Sequence, residues 1–90
     1  MSAPVLFAGQ PKNVTATGTV TAKPCTLIGF YVNNTSTGTL VIKDGSTALS
    51  GTITPAIGWH FFPSAIGTNL NVTIANTLDV TFFYEPGASF

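Results

Sequence analysis

The sequence is short of charge, since only 7% of its 90 residues are Asp, Glu, Lys or Arg, against about 25% in an average soluble domain. The three cations are all lysines, and three carboxylates balance them to a formal net charge of zero at pH 7. A nucleic-acid-binding surface needs several cations to neutralise phosphates, and three scattered lysines do not supply them. The composition therefore argues against a nucleic-acid partner and favours a surface that associates with other proteins.

Cysteine and long apolar runs are also scarce. A single cysteine, Cys25, rules out an internal disulfide and fits a reducing compartment. No apolar run approaches the roughly 18 residues of a membrane span, and the first residues lack the basic and apolar regions of a signal peptide. We therefore expect a protein made in a cytoplasm, with no membrane partner. Ninety residues allow one domain, whose own core is marginal in size.

Groups that could carry catalysis are few: one histidine, His60, and the carboxylates of Asp44, Asp79 and Glu85. Asp79 and Glu85 are six residues apart on a predicted strand, about 20 Å, which is too far for a carboxylate pair. One histidine and one cysteine give no spacing typical of metal ligands. Asp44 is expected to serve the hairpin turn, where its side chain bonds to nearby backbone groups. We predict no enzyme, no metal and no cofactor. An apolar pocket holding His60 beside Asp79 would revive an enzymatic function.

The residues that are abundant favour β-structure. Threonine occupies fifteen positions, and β-branched residues fit a pleated, half-buried surface. Nine glycines and six prolines are spread along the chain and interrupt every stretch that could show a helical period. We predict an all-β fold: a small antiparallel β-sandwich, jelly-roll-like, with about seven short strands. Residues 1–13 are predicted to be an extended N-terminal arm and residues 14–90 the sandwich domain.

Alternation and turn residues predict where the strands lie. In residues 14–22, small apolar residues alternate with threonine, as in a strand with one solvent-exposed face. Residues 27–32 form an apolar run, and a polar loop is expected after it at 33–38. Asp44-Gly45 has the composition of a type I′ hairpin turn, with both residues at positive φ. The last two strands are expected at 69–74 and 78–85, with a turn at Asn76 between them and a loop at 64–68 before them.

Adjacent aromatic residues are the most informative feature. Neighbours on a strand point to opposite faces, so Phe30-Tyr31, Phe61-Phe62 and Phe82-Phe83-Tyr84 each place aromatic area on both sides of a sheet. One core cannot bury both sides, so the second face is expected to contact another copy or a partner, although loops could also cover it. The candidate interface residues are Val5, Leu6, Phe7, Tyr31, Trp59, His60, Phe61 and Phe83. The first three belong to the arm, which is expected to dock on a neighbour.

Four motifs within residues 27–84 carry a resemblance to a known family. They are the Asn33-Asn34-Thr35-Ser36 segment, the Asp44-Gly45 hairpin, the block from Pro55 to His60, and the closing run from Thr77 to Phe82. These motifs resemble those of small all-β virion proteins of tailed bacteriophages. The resemblance implies a structural role, as in capsid decoration or cement proteins, commonly trimers, and it does not say where on a particle the protein sits.

Two functions from different classes follow as hypotheses. The first is a non-enzymatic virion structural protein, assembled in the host cytoplasm, that clamps major capsid subunits as a homotrimer. The alternative is a tail, neck or fibre domain that binds another virion protein or host carbohydrate, with a sugar stacked on Trp59 or Tyr31. An exposed tryptophan would favour the alternative.

Overall fold

The fold is all-β and antiparallel, as the sequence predicts. The computed structural model describes residues 9–86. Six strands are present in this range: β1 (Gln10–Val14), β2 (Gly18–Thr21), β3 (Cys25–Asp44), β4 (Thr47–Ala48), β5 (Gly58–Ile66) and β6 (Leu70–Pro86). The sequence predicts about seven shorter strands. The described residues contain fewer strands because two of the six are much longer than the alternation suggests.

The two long strands, β3 and β6, pair with each other along nearly their whole length and form the centre of the sheet. β1 and β2 pair with successive parts of β6 on one side, and β5 and β4 pair with successive parts of β3 on the other. One half of the sheet therefore has the order β1-β6-β3-β5. Among the described residues, this half carries most of the aromatic side chains.

The long β3–β6 pair bends near its middle. Thr37 in β3 and Asn76 in β6 both have positive φ, 55° and 63°, and the pairing register shifts between Ser36 and Thr37. The Asn76 side-chain amide donates a hydrogen bond to the Thr37 carbonyl at 2.9 Å, which ties the two bends together. Bulges of this kind bend a strand without ending it.

Two predictions at this bend are wrong. The polar segment 33–38, expected as a loop, continues β3, and the turn expected at Asn76 is a bend within the single strand β6. Asn, Ser and Gly favour turns and loops, but pairing with the facing segment of β6 keeps the backbone of residues 33–38 in the ladder. Conversely, the predicted strand 14–22 is interrupted at residues 15–17, between β1 and β2.

Thr37→Gly should stabilise the protein. Positive φ in a β-branched residue is strained by roughly 1–3 kcal/mol, while glycine adopts it freely but gives the unfolded chain more entropy, roughly 0.5–1 kcal/mol. We expect a net gain of about 0.5–2 kcal/mol in the free energy of unfolding, measured by urea denaturation. Thr39→Gly, in the same strand without positive φ, should destabilise it; equal effects of the two changes would contradict the strain.

The hairpin between β3 and β4 is confirmed, but its turn is displaced by one residue. Asp44 pairs with Thr47, so the two central residues are Gly45 and Ser46. Gly45 has φ +62° and neither Asp44 nor Ser46 has positive φ, which matches a type II′ turn with glycine first and not a type I′ turn. Asp44 still ends β3, but it is not a central turn residue.

Gly45→Val should destabilise the protein by about 1 kcal/mol or more, because a β-branched residue adopts positive φ at a cost. A Cβ at this position would meet nothing closer than 3.7 Å, so the cost comes from the backbone and not from a clash. Ser46→Ala, at the second central position, should be nearly silent. Thermal melts of both variants test this, and equal shifts in Tm would show that the turn is assigned wrongly.

The core lies on one side of the sheet and is contributed mainly by β3 and β6. Thirteen side chains are buried in it: Val20, Cys25, Leu27, Phe30, Val32, Leu40, Ile42, Ile66, Leu70, Val72, Leu78, Val80 and Phe82. The predicted apolar row of the last strand is confirmed, since three of its members belong to this core and Tyr84 packs against it. The side chains that alternate with the core row therefore project from the opposite, outer face.

Candidate functional site

The outer face of the β1-β6-β3-β5 half carries a group of aromatic side chains, which we call the aromatic face: Tyr31, Trp59, Phe61 and Phe83. Tyr31 and Trp59 are directly opposite each other on β3 and β5, while Phe61 and Phe83 flank Gly29 in the adjacent row. Tyr31, Trp59 and Phe61 are 42%, 44% and 57% exposed. The structure thus brings together, on one face, four of the residues predicted as interface.

Gly29 positions the tryptophan. A Cβ on Gly29 would lie 3.0 Å from Cζ2 of Trp59 and 2.5 Å from the His60 carbonyl oxygen, so β5 and the indole ring approach β3 more closely than any side chain there would allow. The ring then meets Phe83 edge-on, with centroids 5.4 Å apart and planes at 65°. Such T-shaped pairs are favourable aromatic contacts. The indole is therefore held against the sheet while part of it faces solvent.

A polar border adjoins the aromatic face where β1, β6 and β3 meet. Oδ1 of Asp79 accepts hydrogen bonds from the side-chain amides of Asn13 at 2.7 Å and Asn33 at 3.3 Å. The Asn33 amide also donates to the hydroxyl of Thr81 at 3.0 Å, and Thr81 is opposite Tyr31 in the sheet. This cluster joins three strands beside the aromatic rings.

His60 lies on the other face of the sheet, apart from the four residues of the aromatic face. Its ring stacks on Phe30 at 5.2 Å between centroids, and Nε2 donates to the Ala56 carbonyl at 2.7 Å. Asp79 alternates with core residues of β6 and so belongs to the outer face. The pocket that would hold His60 beside Asp79 is therefore not formed by these two residues. Val5, Leu6 and Phe7 lie outside the described residues.

Asp44 stabilises a loop on a neighbouring part of the chain. Its carboxylate accepts hydrogen bonds from the backbone N–H groups of Gly67 and Thr68, both at 2.9 Å. These bonds favour the ionised form and lower the pKa of Asp44 below its usual value, the bond from Gly67 being the largest cause. The carboxylate thus holds the β5–β6 connection next to the β3–β4 hairpin, rather than bonding within its own turn as the sequence suggests.

Cys25 is a buried side chain in the core, as its position before an apolar strand predicts. Burial, with a smaller contribution from the charge of Asp44, raises the pKa of its thiol to about 11. A thiol with so high a pKa carries little thiolate at neutral pH, and thiolate is the nucleophilic and metal-binding form. The side chain therefore acts as a small hydrophobic group.

A separate shallow cleft of about 290 Å³ lies in the other half of the sheet, between β2, the start of β6 and the β3–β4 hairpin. Its lining includes Thr19, Lys43 and Asn71. Asn71 is held by Thr19, whose hydroxyl donates to it at 2.7 Å, and by its own bond to the Gly45 carbonyl at 2.9 Å. The side chains of Thr19 and Asn71 therefore help to join β2, β6 and the β3–β4 hairpin.

Metal ligands do not cluster in the described part of the chain, where no three His, Cys, Asp or Glu side chains come together. Residues 9–86 also contain no helix with the length and apolarity needed to cross a membrane.

Two features that contribute to the site could not be identified from the sequence. The Asn13–Asp79–Asn33 cluster depends on residues up to 66 positions apart, and only the register of β1, β6 and β3 brings them together. Gly29 is equally hard to identify, because its role follows from the register shift between Leu27 and Gly29 that places it beneath Trp59. A glycine inside an apolar strand run is the one available signal, since it often marks a bulge or a close approach.

In comparisons with known proteins, no family model, no curated protein and no solved structure matches the chain.

Proposed function

We propose that this protein is a non-enzymatic structural protein of the virion of a tailed bacteriophage, of the capsid decoration or cement type. It assembles in the host cytoplasm as a homotrimer and clamps neighbouring major capsid subunits. The observation that carries the proposal is the aromatic face, where Tyr31, Trp59 and Phe61 are each more than 40% exposed although the core on the other side is already filled. The motifs resembling small phage virion proteins support the structural role.

The physical case for an interface rests on residue type and on size. Aromatic residues are enriched at protein interfaces and dominate their energetics, while charged residues are depleted at interface centres. Here the aromatic face adjoins a border in which Asp79 is paired with two amides, and charged residues make up only 7% of the chain. A 90-residue domain also gains from the additional burial that assembly supplies.

The proposal includes the arrangement of the strands as a two-layered sandwich. The sequence predicts a jelly-roll-like sandwich, and the bend at Thr37 and Asn76 divides the long β3–β6 pair into two halves. Two halves of one bent sheet that share a core would give the two layers of such a sandwich. The jelly-roll connectivity stays a prediction.

Phe83→Ala tests the proposal. The ring is part of the outer face and packs on Trp59, so its removal should weaken trimer or partner affinity by about 1–3 kcal/mol while changing the stability of the isolated fold little. Leu49→Ala is the matched control, because Leu49 is also an exposed apolar residue, 37% exposed, but lies outside the aromatic face. Sedimentation across a concentration series measures the affinity; equal weakening by both variants would contradict an interface at this face.

The alternative function, carbohydrate binding by a tail, neck or fibre domain, is favoured by one specific observation. Trp59 is 44% exposed and faces Tyr31 beside the amides and carboxylate of the polar border. Aromatic rings stack on the apolar faces of sugars, and amides and carboxylates bond to their hydroxyls. Titration with neutral oligosaccharides, read by calorimetry, decides between the two functions, since saturable binding that Trp59→Ala abolishes would support carbohydrate binding.

A further inference from the structure

We propose that the shallow cleft between β2, β6 and the β3–β4 hairpin binds a sugar acid, that is, a sugar unit that carries a carboxylate, and that the Lys43 ammonium binds this carboxylate. The cleft lies in the half of the sheet that does not carry the aromatic face. The inference therefore goes beyond the proposed assembly function and does not depend on it.

The first argument is the unpaired charge of Lys43, which lines the cleft and is partly buried in β3. In the described part of the chain its ammonium group has no ion-pair or hydrogen-bond partner. The adjacent Asp44 is opposite the core residue Leu70, on the other face of the sheet. Its carboxylate accepts hydrogen bonds from Gly67 and Thr68. No carboxylate of residues 9–86 lines the cleft, so the charge of Lys43 is available to an anion.

The second argument concerns the hydroxyl groups of the cleft. The Thr19 hydroxyl donates to Asn71, and the Asn71 amide donates to the Gly45 carbonyl, so these groups are already used. The hydroxyls of Ser46 and Thr73 also line the cleft and have no hydrogen-bond partner among residues 9–86. Hydroxyls both donate and accept hydrogen bonds. One ammonium and two hydroxyls fit a ligand that carries a negative charge together with hydroxyls of its own.

The positions of these groups follow from the register. Lys43 on β3 is opposite Asn71 on β6. Thr73 follows Asn71 by two residues, so it lies on the same face about 7 Å further along the strand. Ser46 is in the hairpin turn, on the opposite side of the row that contains Lys43. The two hydroxyls therefore lie on either side of the residue that carries the charge.

Size and spacing favour a sugar acid over an acidic side chain of a protein. Thr19 and Lys43 are both opposite Asn71, so β2 and β3 are two strand spacings, about 10 Å, apart across the cleft. The volume of about 290 Å³ is at the lower end for ligand sites and admits one sugar unit. A lone carboxylate uses only Lys43, and an exposed ion pair contributes little. A sugar acid adds ring hydroxyls for the groups beside it.

An NMR titration of the full-length, isotope-labelled protein with sodium glucuronate tests the proposal. We expect saturable shifts of the backbone amide signals of Lys43, Ser46 and Thr73, with a Kd of about 1–10 mM for so shallow a site. Glucose has a similar ring without the carboxylate, and acetate has the carboxylate without the ring. Each should bind more weakly than glucuronate by about tenfold or more.

Three variants assign the binding to the cleft. Lys43→Gln should weaken glucuronate binding by about tenfold or more. Lys23→Gln is the matched control, because it removes the same charge from a residue that does not line the cleft, and it should leave the affinity unchanged. Ser46→Ala should weaken the binding of glucuronate but not that of acetate. The amide spectrum of each variant also shows whether it is folded.

Several results would overturn the proposal. Acetate or inorganic phosphate binding as tightly as glucuronate would show that the charge alone is recognised, and equal binding of glucose would show that the charge is not. Shifts confined to Tyr31, Trp59 and Phe83 would place the sugar on the aromatic face. No saturation up to about 100 mM glucuronate, or equal affinities of the two lysine variants, would also contradict the site. None of these results depends on the oligomeric state, so the proposed assembly function keeps its own test.

Discussion

Phe82→Ala is expected to destabilise the protein by about 3–5 kcal/mol, the cost of removing a fully buried phenylalanine from a core. The Phe82 side chain has no solvent exposure, and it lies opposite Phe30 in the sheet with ring centroids 5.5 Å apart. A domain of this size has a total stability of about 5–13 kcal/mol. The variant should therefore lose a large part of its folding free energy, as chemical denaturation measures directly.

Phe83→Ala is the control for this prediction, because it removes the same side chain one residue away on the outer face. Period-two alternation places these sequence neighbours on opposite faces: Phe82 is buried in the core, and we expect Phe83 to contribute to the proposed assembly. If Phe83→Ala unfolds the chain while folded Phe82→Ala protein fails to assemble, the two faces are assigned the wrong way round.

Gly29→Ala should have the second large effect, on both stability and the aromatic face. The added methyl group would lie 2.5 Å from the His60 carbonyl oxygen and 3.2 Å from the Phe61 Cα, both backbone atoms that cannot rotate away. β5 must shift away from β3 to accommodate it. Overpacking of this kind costs about 1–3 kcal/mol, and the indole of Trp59 must move as well.

The readouts for Gly29→Ala are the free energy of unfolding and the fluorescence of Trp59. Gly18→Ala is the matched control, since a Cβ there meets nothing within 4 Å and the residue lacks positive φ. We expect a loss of stability and a changed emission spectrum for the first variant and neither change for the second. Wild-type stability for Gly29→Ala would show that β5 does not approach β3 as closely as described.

The faces of the strands could be predicted from the sequence because alternation is a local property. Leu78, Val80 and Phe82 are separated by single polar or partly exposed residues, and this pattern alone identifies which side is buried. The same reasoning correctly separates Phe30, which is 2% exposed, from Tyr31 beside it. All-β structure followed from composition for the same reason, since β-branched residues act locally.

The lengths and partners of the strands could not be predicted, because they depend on distant residues. The segment from Asn33 to Gly38 has the composition of a loop, and only its pairing with β6 makes it a strand. Gly38 shows how tight that pairing is, since a Cβ there would clash with the Thr77 carbonyl oxygen. A turn-forming residue within a bulge and one within a loop look the same in a single sequence.

The candidate site was predictable in part for the same physical reason. Adjacent aromatic residues indicate a strand with two apolar faces, and alternation along the last strand assigns Phe83 to the outer face without knowledge of the register. The sequence could not separate His60 from Trp59, because the aromatic block does not say which face of β5 meets the core. It also gave no sign that Asp79 pairs with Asn13 and Asn33.

The central claim is that the aromatic face makes this protein an assembling subunit, and the molar mass in solution tests it most directly. Light scattering on the full-length protein at micromolar concentration should give three times the chain mass of 9.3 kDa. The mass should fall towards that of one chain for Phe83→Ala at the same concentration. A wild-type species of 9.3 kDa at micromolar concentration would contradict the account.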